Sequence, residues 1–277
     1  MATKKKNTPQ RKVNPKTPHK RAEKKDRPLI LVTNDDGVTA PGIRALVEAM
    51  QPLGNIVVVA PDSPQSGMGH AITIDKPLRL KPIQLFEGID TWQCTGTPVD
   101  CVKLAVDKVL HRKPDLCVSG INHGANSSIN VIYSGTMSAA MEAAIEGIPA
   151  IGFSLLDYSF DADFGAAKKV AAKVAAAVLK NGLPDDTLLN VNIPKLPFAK
   201  LKGIKVCRQA SGKYDEEFDQ RIDPRNTKYY WLTGKFAIKD NGEDTDEWAL
   251  AQGYASVVPT QFDLTAHHAI PRLSTYF

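Results

Sequence analysis

The stretch Leu29-Ile-Leu-Val-Thr33, followed by Asn34-Asp35-Asp36-Gly37, decides the fold class of this chain. A run of apolar and β-branched residues bounded by turn formers predicts a strand that is buried on both faces. The polar tetrapeptide predicts a turn at the carboxyl end of that strand. A helix is expected next, over residues 41–51, because proline suits a first helical turn and good helix formers follow it.

Strand patterns alternate with helix patterns along most of the chain. Further buried strands are predicted at 55–60, 115–119, 149–153 and 187–192, with helices at about 98–111, 136–146 and 162–181. This alternation predicts an α/β fold with a Rossmann-like three-layer core, in which helices cover both faces of a parallel sheet. Residues 70–95 have a hairpin pattern. Residues 203–260 mix short strand patterns with polar loops, so an antiparallel C-terminal subdomain or arm is also expected.

Bulk composition favours an ordinary globular protein in the cytoplasm. The 277 residues are 43% hydrophobic and 23% charged, which is enough apolar material for a sizeable core. No apolar run approaches the roughly 18 residues that a membrane span needs. The start, MATKKKNTPQ, lacks the apolar core of a secretory signal, and the scattered cysteines favour reduced thiols over disulfides or a zinc site.

The positive charge of the chain is concentrated at its N-terminus. Residues 1–27 hold 11 Lys and Arg against 2 acidic residues, so the rest of the chain is mildly acidic despite the overall +5. A segment with so few large apolar residues predicts a disordered basic tail. The alternative is an electrostatic arm that makes weak contacts with RNA or an anionic membrane surface.

Polar, glycine-containing loops follow the first three predicted strands. Ligands of open parallel sheets bind outside the carboxyl ends of the strands. The loops are Asn34–Gly37, Pro61–Gly69, and Gly120–Asn126 running on to Tyr133–Thr136. Because these loops converge on one edge of the sheet, they predict a ligand site that is rich in oxygen donors.

Asp35 and Asp36 are the strongest candidates for a functional pair. Adjacent carboxylates near a buried strand end repel each other, and a cation would relieve that cost. Oxygen donors suit Mg²⁺, Mn²⁺ or Ca²⁺. The alternative interpretation is a turn that caps the next helix, but the two neighbouring loops favour the cation site.

Ser134-Gly135-Thr136 precedes a predicted helix, where a hydroxyl and free backbone N–H groups can bind phosphate. A helix cap without a ligand is the alternative. Thr97 before Pro98 is interpreted as a structural cap.

His70 and His123 lie near the expected site, but neither has a partner at ligand spacing. A GxxxxGK[ST] loop, a DxD pattern at the first strand and a GxSxG elbow are absent, which argues against the enzymes that use them.

These motifs together resemble the SurE family of survival-protein nucleotidases. The matching stretches are Ile30–Gly37, Val59–Gly67, Cys94–Asp100, Val118–Gly124, Tyr133–Thr136, Gly253–Pro259 and Asp263–Thr265. The resemblance therefore covers residues 28–266. It divides the chain into a core at about 28–200 and an extended subdomain at about 201–266, with a tail at 1–27 and an extension at 267–277 outside the family pattern.

The resemblance implies a phosphoric monoester hydrolase, a 5′/3′-nucleotidase that releases phosphate from nucleoside monophosphates with one divalent metal. The family's metal ligands fall on Asp35, Asp36, Ser66 and Asn122. We expect Asp35 or Asp36 to act on the attacking water. We expect the phosphate to be held by Asn122, Ser134, Gly135 and Thr136.

The family also implies an extended C-terminal portion that is exchanged between subunits of a homodimer or homotetramer. Two alternatives remain open at this point. One is a broader phosphomonoesterase or exopolyphosphatase, and the other is a nucleotide- or RNA-binding protein without turnover.

Overall fold

The computed structural model describes residues 27–159, 161–240 and 242–277. Its strands are β1 (Leu29–Thr33), β2 (Asn55–Pro61), β3 (Leu80–Ile83), β4 (Asp90–Cys94), β5 (Leu116–His123), β6 (Ala150–Leu155), β7 (Thr187–Ile193), β8 (Gly203–Val206), β9 (Gly212–Ile222), β10 (Lys228–Ile238) and β11 (Tyr254–Gln261). Its α-helices are α1 (Pro41–Met50), α2 (Pro98–Leu104), α3 (Gly135–Ile145), α4 (Gly165–Asn181), α5 (Asp246–Ala251) and α6 (Ile270–Leu273). Apart from Arg27, the predicted basic tail lies outside the described residues.

A nine-stranded sheet in the order β3-β4-β2-β1-β5-β6-β7-β11-β8 organises the described part of the chain. The strands from β4 to β7 in this order are parallel to one another, whereas β3 and β11 run antiparallel to β4 and β7. β1 pairs with β2 on one side and with β5 on the other. The turn after β1 therefore lies at the middle of the carboxyl edge, next to the connections that leave β2 and β5.

Alternate residues of β1 pack on opposite faces of the sheet. Ile30 and Val32 join the core formed with α1 and α4, and Leu31 joins the core formed with α2 and α3. All three side chains are fully buried, and each such burial contributes about 1.5–3 kcal/mol to folding. Helices thus cover both faces, and the predicted three-layer α/β fold is confirmed.

Two predicted elements differ in extent from the structure. The helix expected over 98–111 ends as an α-helix at Leu104 and continues as a π-helical turn at Ala105–Val109. The third strand continues to His123, so the residues predicted to start a loop at Gly120 belong to β5. Gly120 has φ +119°, and a Cβ there would lie 2.3 Å from the Phe153 carbonyl oxygen, so the strand extension depends on glycine.

The C-terminal region contains an antiparallel arm, but the arm is shorter than predicted. β9 and β10 form a separate two-stranded antiparallel hairpin. β8 and β11 instead extend the main sheet, because β11 pairs with β7 and buries Ala255 and Val257 in its core. The hairpin predicted within 70–95 is also part of this sheet, since β4 pairs with β2 as well as with β3.

None of the helices in the described ranges is long and apolar enough to cross a membrane.

Candidate active site

Asp35 lies at the carboxyl end of β1, and its side chain is almost completely buried. Thr136 Oγ1 donates a hydrogen bond of 2.5 Å to Asp35 Oδ1. The pKa of Asp35 is raised from 3.8 to about 6, mainly by burial; the hydrogen bond from Thr136 opposes this shift and the charge of Asp36 adds to it. Because Asp35 is buried and lies next to a second carboxylate, ionising it is unfavourable unless a positive charge is nearby.

Asp36 is more open than Asp35 and faces a histidine. The Nδ1 atom of His123 lies 3.7 Å from Asp36 Oδ2, which is too long for a hydrogen bond, and that oxygen has no other partner among the described residues. Burial raises the pKa of Asp36, and the neighbouring His123 counteracts part of this shift. One of the two histidines singled out in the sequence therefore lies beside the carboxylate pair.

Further buried oxygens at the same edge have no hydrogen-bond partner within the described residues. They are Thr33 Oγ1, Asn34 Oδ1 and Ser119 Oγ. Thr33 at the end of β1 is the register partner of Ser119 in the middle of β5, so these two oxygens lie on adjacent strands. Most buried polar groups in folded proteins are paired. An edge with several unpaired oxygens and two adjacent carboxylates fits a cation with its bound water.

The start of α3 is held against Asp35. A Cβ added at Gly135 would lie 2.7 Å from Asp35 Cβ, so only glycine permits this approach. Ser134 caps the helix by accepting a hydrogen bond of 3.1 Å from Met137 N. The helix cap given as the alternative role of this motif is present at Ser134, and the Thr136 hydroxyl contacts the carboxylate of Asp35.

Asn122 on β5 uses its amide nitrogen within its own loop. Its Nδ2 donates to the carbonyl oxygens of His123, at 3.1 Å, and of Gly124, at 2.9 Å. With the nitrogen held in this way, the Oδ1 atom is the part of Asn122 that can act as a ligand. β5 is the direct neighbour of β1, which brings Asn122 to the same edge as Asp35 and Asp36.

Ser66 lies in the exposed loop after β2, between two backbone anchors. The N–H of Gln65 donates to the Asp35 carbonyl oxygen at 2.8 Å, and the N–H of Gly69 donates to the Tyr133 carbonyl oxygen at 3.2 Å. The loop therefore bridges the end of β1 and the segment that leads into α3. This placement brings the serine loop to the carboxylate pair, as the convergence of loops predicts.

His70 has a different role from His123. Its Nε2 lies 2.9 Å from Oε2 of Glu142, a buried residue of α3, and Lys103 of α2 pairs with the other carboxylate oxygen. Burial alone would raise the pKa of Glu142, but its hydrogen bonds to His70 and Lys103 outweigh that effect and lower it. Sequence reasoning missed Glu142, because a single glutamate in an alanine-rich helix resembles a solvent-facing residue.

Thr97 caps α2, as predicted. Its side chain accepts from Asp100 N at 3.2 Å, and Asp100 accepts from Thr97 N at 2.9 Å, which completes a capping box.

Metal ligands at this edge cannot come from acidic, histidine and cysteine side chains alone. Among residues 27–159, 161–240 and 242–277, no group of three or more His, Cys, Asp or Glu side chains could hold a metal ion. A cation at the edge would therefore need hydroxyl and amide oxygens beside the two aspartates, which a hard cation accepts.

The fold and the site define a doubly wound α/β protein with an oxygen-rich ligand site at the carboxyl edge of its parallel strands. A family model described as "Survival protein SurE" matches residues 30–216. The chain belongs to the SurE family, which confirms the resemblance seen in the sequence motifs.

Individual relatives cover nearly the whole chain. A protein of Christiangramia forsetii named "5'-nucleotidase SurE" is 66% identical over 254 residues, which is 91% of this chain and 98% of the relative. A protein of the same name from Bacteroides thetaiotaomicron is 50% identical and covers 90% of this chain and 96% of its own length. The crystal structure of the Sure protein from Aquifex aeolicus has a TM-score of 0.79 and 42% identity, and it covers 90% of this chain and 99% of its own.

Proposed function

We propose that this chain is a metal-dependent 5′/3′-nucleotidase that hydrolyses nucleoside monophosphates to nucleoside and phosphate. Membership of the SurE family and close relatives named 5'-nucleotidase support hydrolysis of phosphoric monoesters. The observation that carries the proposal is the buried Asp35 carboxylate beside Asp36, at an edge with unpartnered oxygens. Such an arrangement is unfavourable for an apoprotein and favourable for binding a cation with a phosphate.

The residues proposed to hold the cation are Asp35, Asp36, Ser66 and Asn122. Their carboxylate, hydroxyl and amide oxygens suit Mg²⁺, Mn²⁺ or Ca²⁺. When bound, such a cation neutralises charge on the phosphate and makes a water molecule more acidic. The raised pKa values of both aspartates fit a place that is completed by positive charge.

Proton transfer is proposed to fall to the aspartate pair. Asp36 is the better candidate for accepting the proton of the attacking water, because its Oδ2 has no hydrogen-bond partner within the described residues. Asp35 Oδ1 already accepts from Thr136, so Asp35 is better placed to hold its neighbour and the cation in position. An acceptor must lie within hydrogen-bond reach of the proton that it takes.

Phosphate oxygens are proposed to bind at the start of α3 and at Asn122. The first backbone N–H groups of a helix have no partner within the helix, and the helix dipole favours negative charge there. Gly135 and the Ser134 hydroxyl are the proposed donors at this end. Thr136 acts through the contact of its side chain with Asp35, which refines the direct phosphate role expected from the family pattern.

Phosphate release from AMP and GMP tests this proposal. With added Mn²⁺ or Mg²⁺ we expect turnover that EDTA abolishes, and Asp35→Asn should lower it by at least a thousandfold at unchanged fold. A parallel assay on polyphosphate and a small phosphomonoester separates a nucleotidase from a broader phosphatase. Turnover that persists in EDTA, or in the Asp35→Asn variant, would contradict the assigned site.

Assembly and location complete the proposal. A homodimer or homotetramer is supported by the exposed apolar side chains of the β9–β10 hairpin, among them Phe218, Trp231 and Leu232. A cytoplasmic location is supported by the four cysteines, which are all free and buried. Weak nucleic-acid contact by the basic tail remains a prediction on residues outside the described part of the chain.

A further inference from the structure

The site proposed above holds phosphate and a cation, and the base of a nucleotide substrate needs a further contact surface. Tyr158 is a candidate for that surface. It follows the end of β6, and 77% of the residue is exposed to solvent. Large exposed rings beside a polar ligand site are typical of recognition surfaces, because an aromatic side chain provides apolar area with few rotatable bonds.

Gly124 places the Tyr158 ring close to Asn122. Asn122 Nδ2 donates to the Gly124 carbonyl oxygen at 2.9 Å, and Gly124 N donates to the Leu155 carbonyl oxygen at 2.8 Å. A Cβ on Gly124 would lie 2.2 Å from Tyr158 Cε1, so the ring rests directly on this glycine. Gly124 thus contacts both the Tyr158 ring and the side-chain amide of Asn122, which is proposed to bind the cation and phosphate.

The backbone around Tyr158 is fixed on both sides. Buried Asp157 accepts a hydrogen bond of 3.0 Å from Ser159 N and one of 2.9 Å from Lys195 Nζ. These contacts anchor the residues before and after the tyrosine while its ring stays in solvent. A ring that is already held in place loses little conformational entropy when a ligand stacks on it.

A second tyrosine, Tyr214 at the start of β9, lies on the same side of the molecule. Burial raises the pKa of its hydroxyl, and the nearby phenol of Tyr158 and the carboxylate of Glu247 add to the shift. Tyr214 packs against Phe236 with ring centroids 5.1 Å apart. The arm therefore brings an aromatic cluster towards the exposed ring of Tyr158.

We propose that Tyr158 is the platform on which the base of a nucleotide substrate stacks, and that it distinguishes nucleotides from smaller phosphomonoesters. The inference rests on the proposed function, because it adds base recognition to the same phosphate site. A stacking surface tolerates purines and pyrimidines alike, since every base has a π-face. Stacking on Tyr158 would therefore favour nucleotides over phosphomonoesters without a base, whichever base the nucleotide carries.

Steady-state kinetics on AMP and ribose 5-phosphate test the proposal, since the two differ by the base. We expect Tyr158→Ala to lower kcat/KM for AMP about tenfold, mainly through KM, and to leave ribose 5-phosphate within about twofold. Tyr158→Phe and Tyr158→Trp keep a ring and should retain most of the AMP activity. Tyr276→Ala removes another exposed tyrosine, at the C-terminus, and should change neither substrate.

Equal losses on both substrates, or no loss on AMP, would overturn the platform role. Adenosine binding by equilibrium dialysis keeps this test separate from the proposed function, because it needs no turnover. Wild-type protein should bind adenosine about tenfold more tightly than Tyr158→Ala. Equal binding or no binding by both would reject the inference. A wild type that binds adenosine but releases no phosphate from AMP would instead reject the proposed nucleotidase activity.

Discussion

The hydroxyl of Thr136 donates a 2.5 Å hydrogen bond to Asp35 Oδ1 across 101 residues of sequence. This contact joins the start of α3 to the end of β1 and fixes one oxygen of a carboxylate that burial makes difficult to ionise. Because charge-assisted hydrogen bonds are stronger than neutral ones, Thr136 favours the ionised aspartate. One hydrogen bond thus connects the helix end that is proposed to bind phosphate with the carboxylate that is proposed to bind the cation.

Replacing Thr136 with valine should weaken both activity and stability. The side chain keeps its shape but loses the donor, so Asp35 Oδ1 is left buried with one partner fewer. We expect kcat/KM for AMP to fall by one to two orders of magnitude and the free energy of unfolding to fall by about 1–3 kcal/mol. Phosphate release and urea denaturation measure the two effects.

Thr136→Ser is the matched control, because serine keeps the hydroxyl at the start of α3. It should retain activity within a few-fold of wild type. Wild-type activity in Thr136→Val, or an equal loss in both variants, would show that the hydroxyl contact has no part in the reaction.

Gly135→Ala should disrupt the site through steric contact alone. Its new Cβ would lie 2.7 Å from Asp35 Cβ, so either α3 or the carboxylate must move. A shift of a reacting group by about 1 Å can cost about a hundredfold in rate. Gly165→Ala, at the first position of α4, is the control: its Cβ would meet the Asp163 carboxylate at 3.0 Å, which can rotate away. Unchanged turnover in Gly135→Ala would contradict the close approach.

Asp35→Asn should stabilise the metal-free protein while it abolishes turnover. Because the folded pKa of about 6 lies above the ordinary value of 3.8, the ionised carboxylate costs stability at pH 8. At pH 8 we expect the free energy of unfolding of the variant to exceed that of wild type by about 1–3 kcal/mol. This difference should shrink as pH falls from 6 towards 4. Chemical denaturation in EDTA measures it. The exposed Asp185→Asn change should have almost no effect at either pH.

Glu142→Gln tests the contact between α3 and the loop that carries Ser66. The lowered pKa of Glu142 means that its ion pairs stabilise the fold above its ordinary value of 4.5, and that this contribution is lost as pH falls through the folded value. At pH 7 we expect a loss of about 1–3 kcal/mol, together with a higher cation concentration for half-maximal activity. The loss relative to wild type should shrink as pH falls below 4.5.

Glu146→Gln provides the control for that prediction. Glu146 is exposed and lies one turn beyond Glu142, directly after α3. Its replacement by glutamine removes one negative charge and leaves the contact between His70 and Glu142 intact. If both glutamate variants shift the cation requirement equally, the effect comes from net charge and the loop contact is not responsible.

Local pattern predicted much of the framework. The uninterrupted apolar run at Leu29–Thr33 can be satisfied only where both faces of a strand are covered, and helices cover both faces of β1. The turn at Asn34–Gly37 follows from residues that cannot continue a buried strand. The arm was predicted too broadly, because the short apolar runs of β8 and β11 do not show which strand edge they will join.

The sequence by itself determined the α/β class, the carboxylate pair and the loops that converge on it, since these depend on periodicity and on the geometry common to parallel sheets. Only the tertiary structure decided that Thr136 contacts Asp35, that His70 pairs with Glu142 and that Tyr158 stands exposed beside Gly124. Each of these contacts joins segments that are distant in sequence. Their formation depends on how whole helices and strands pack together, and no local propensity encodes that packing.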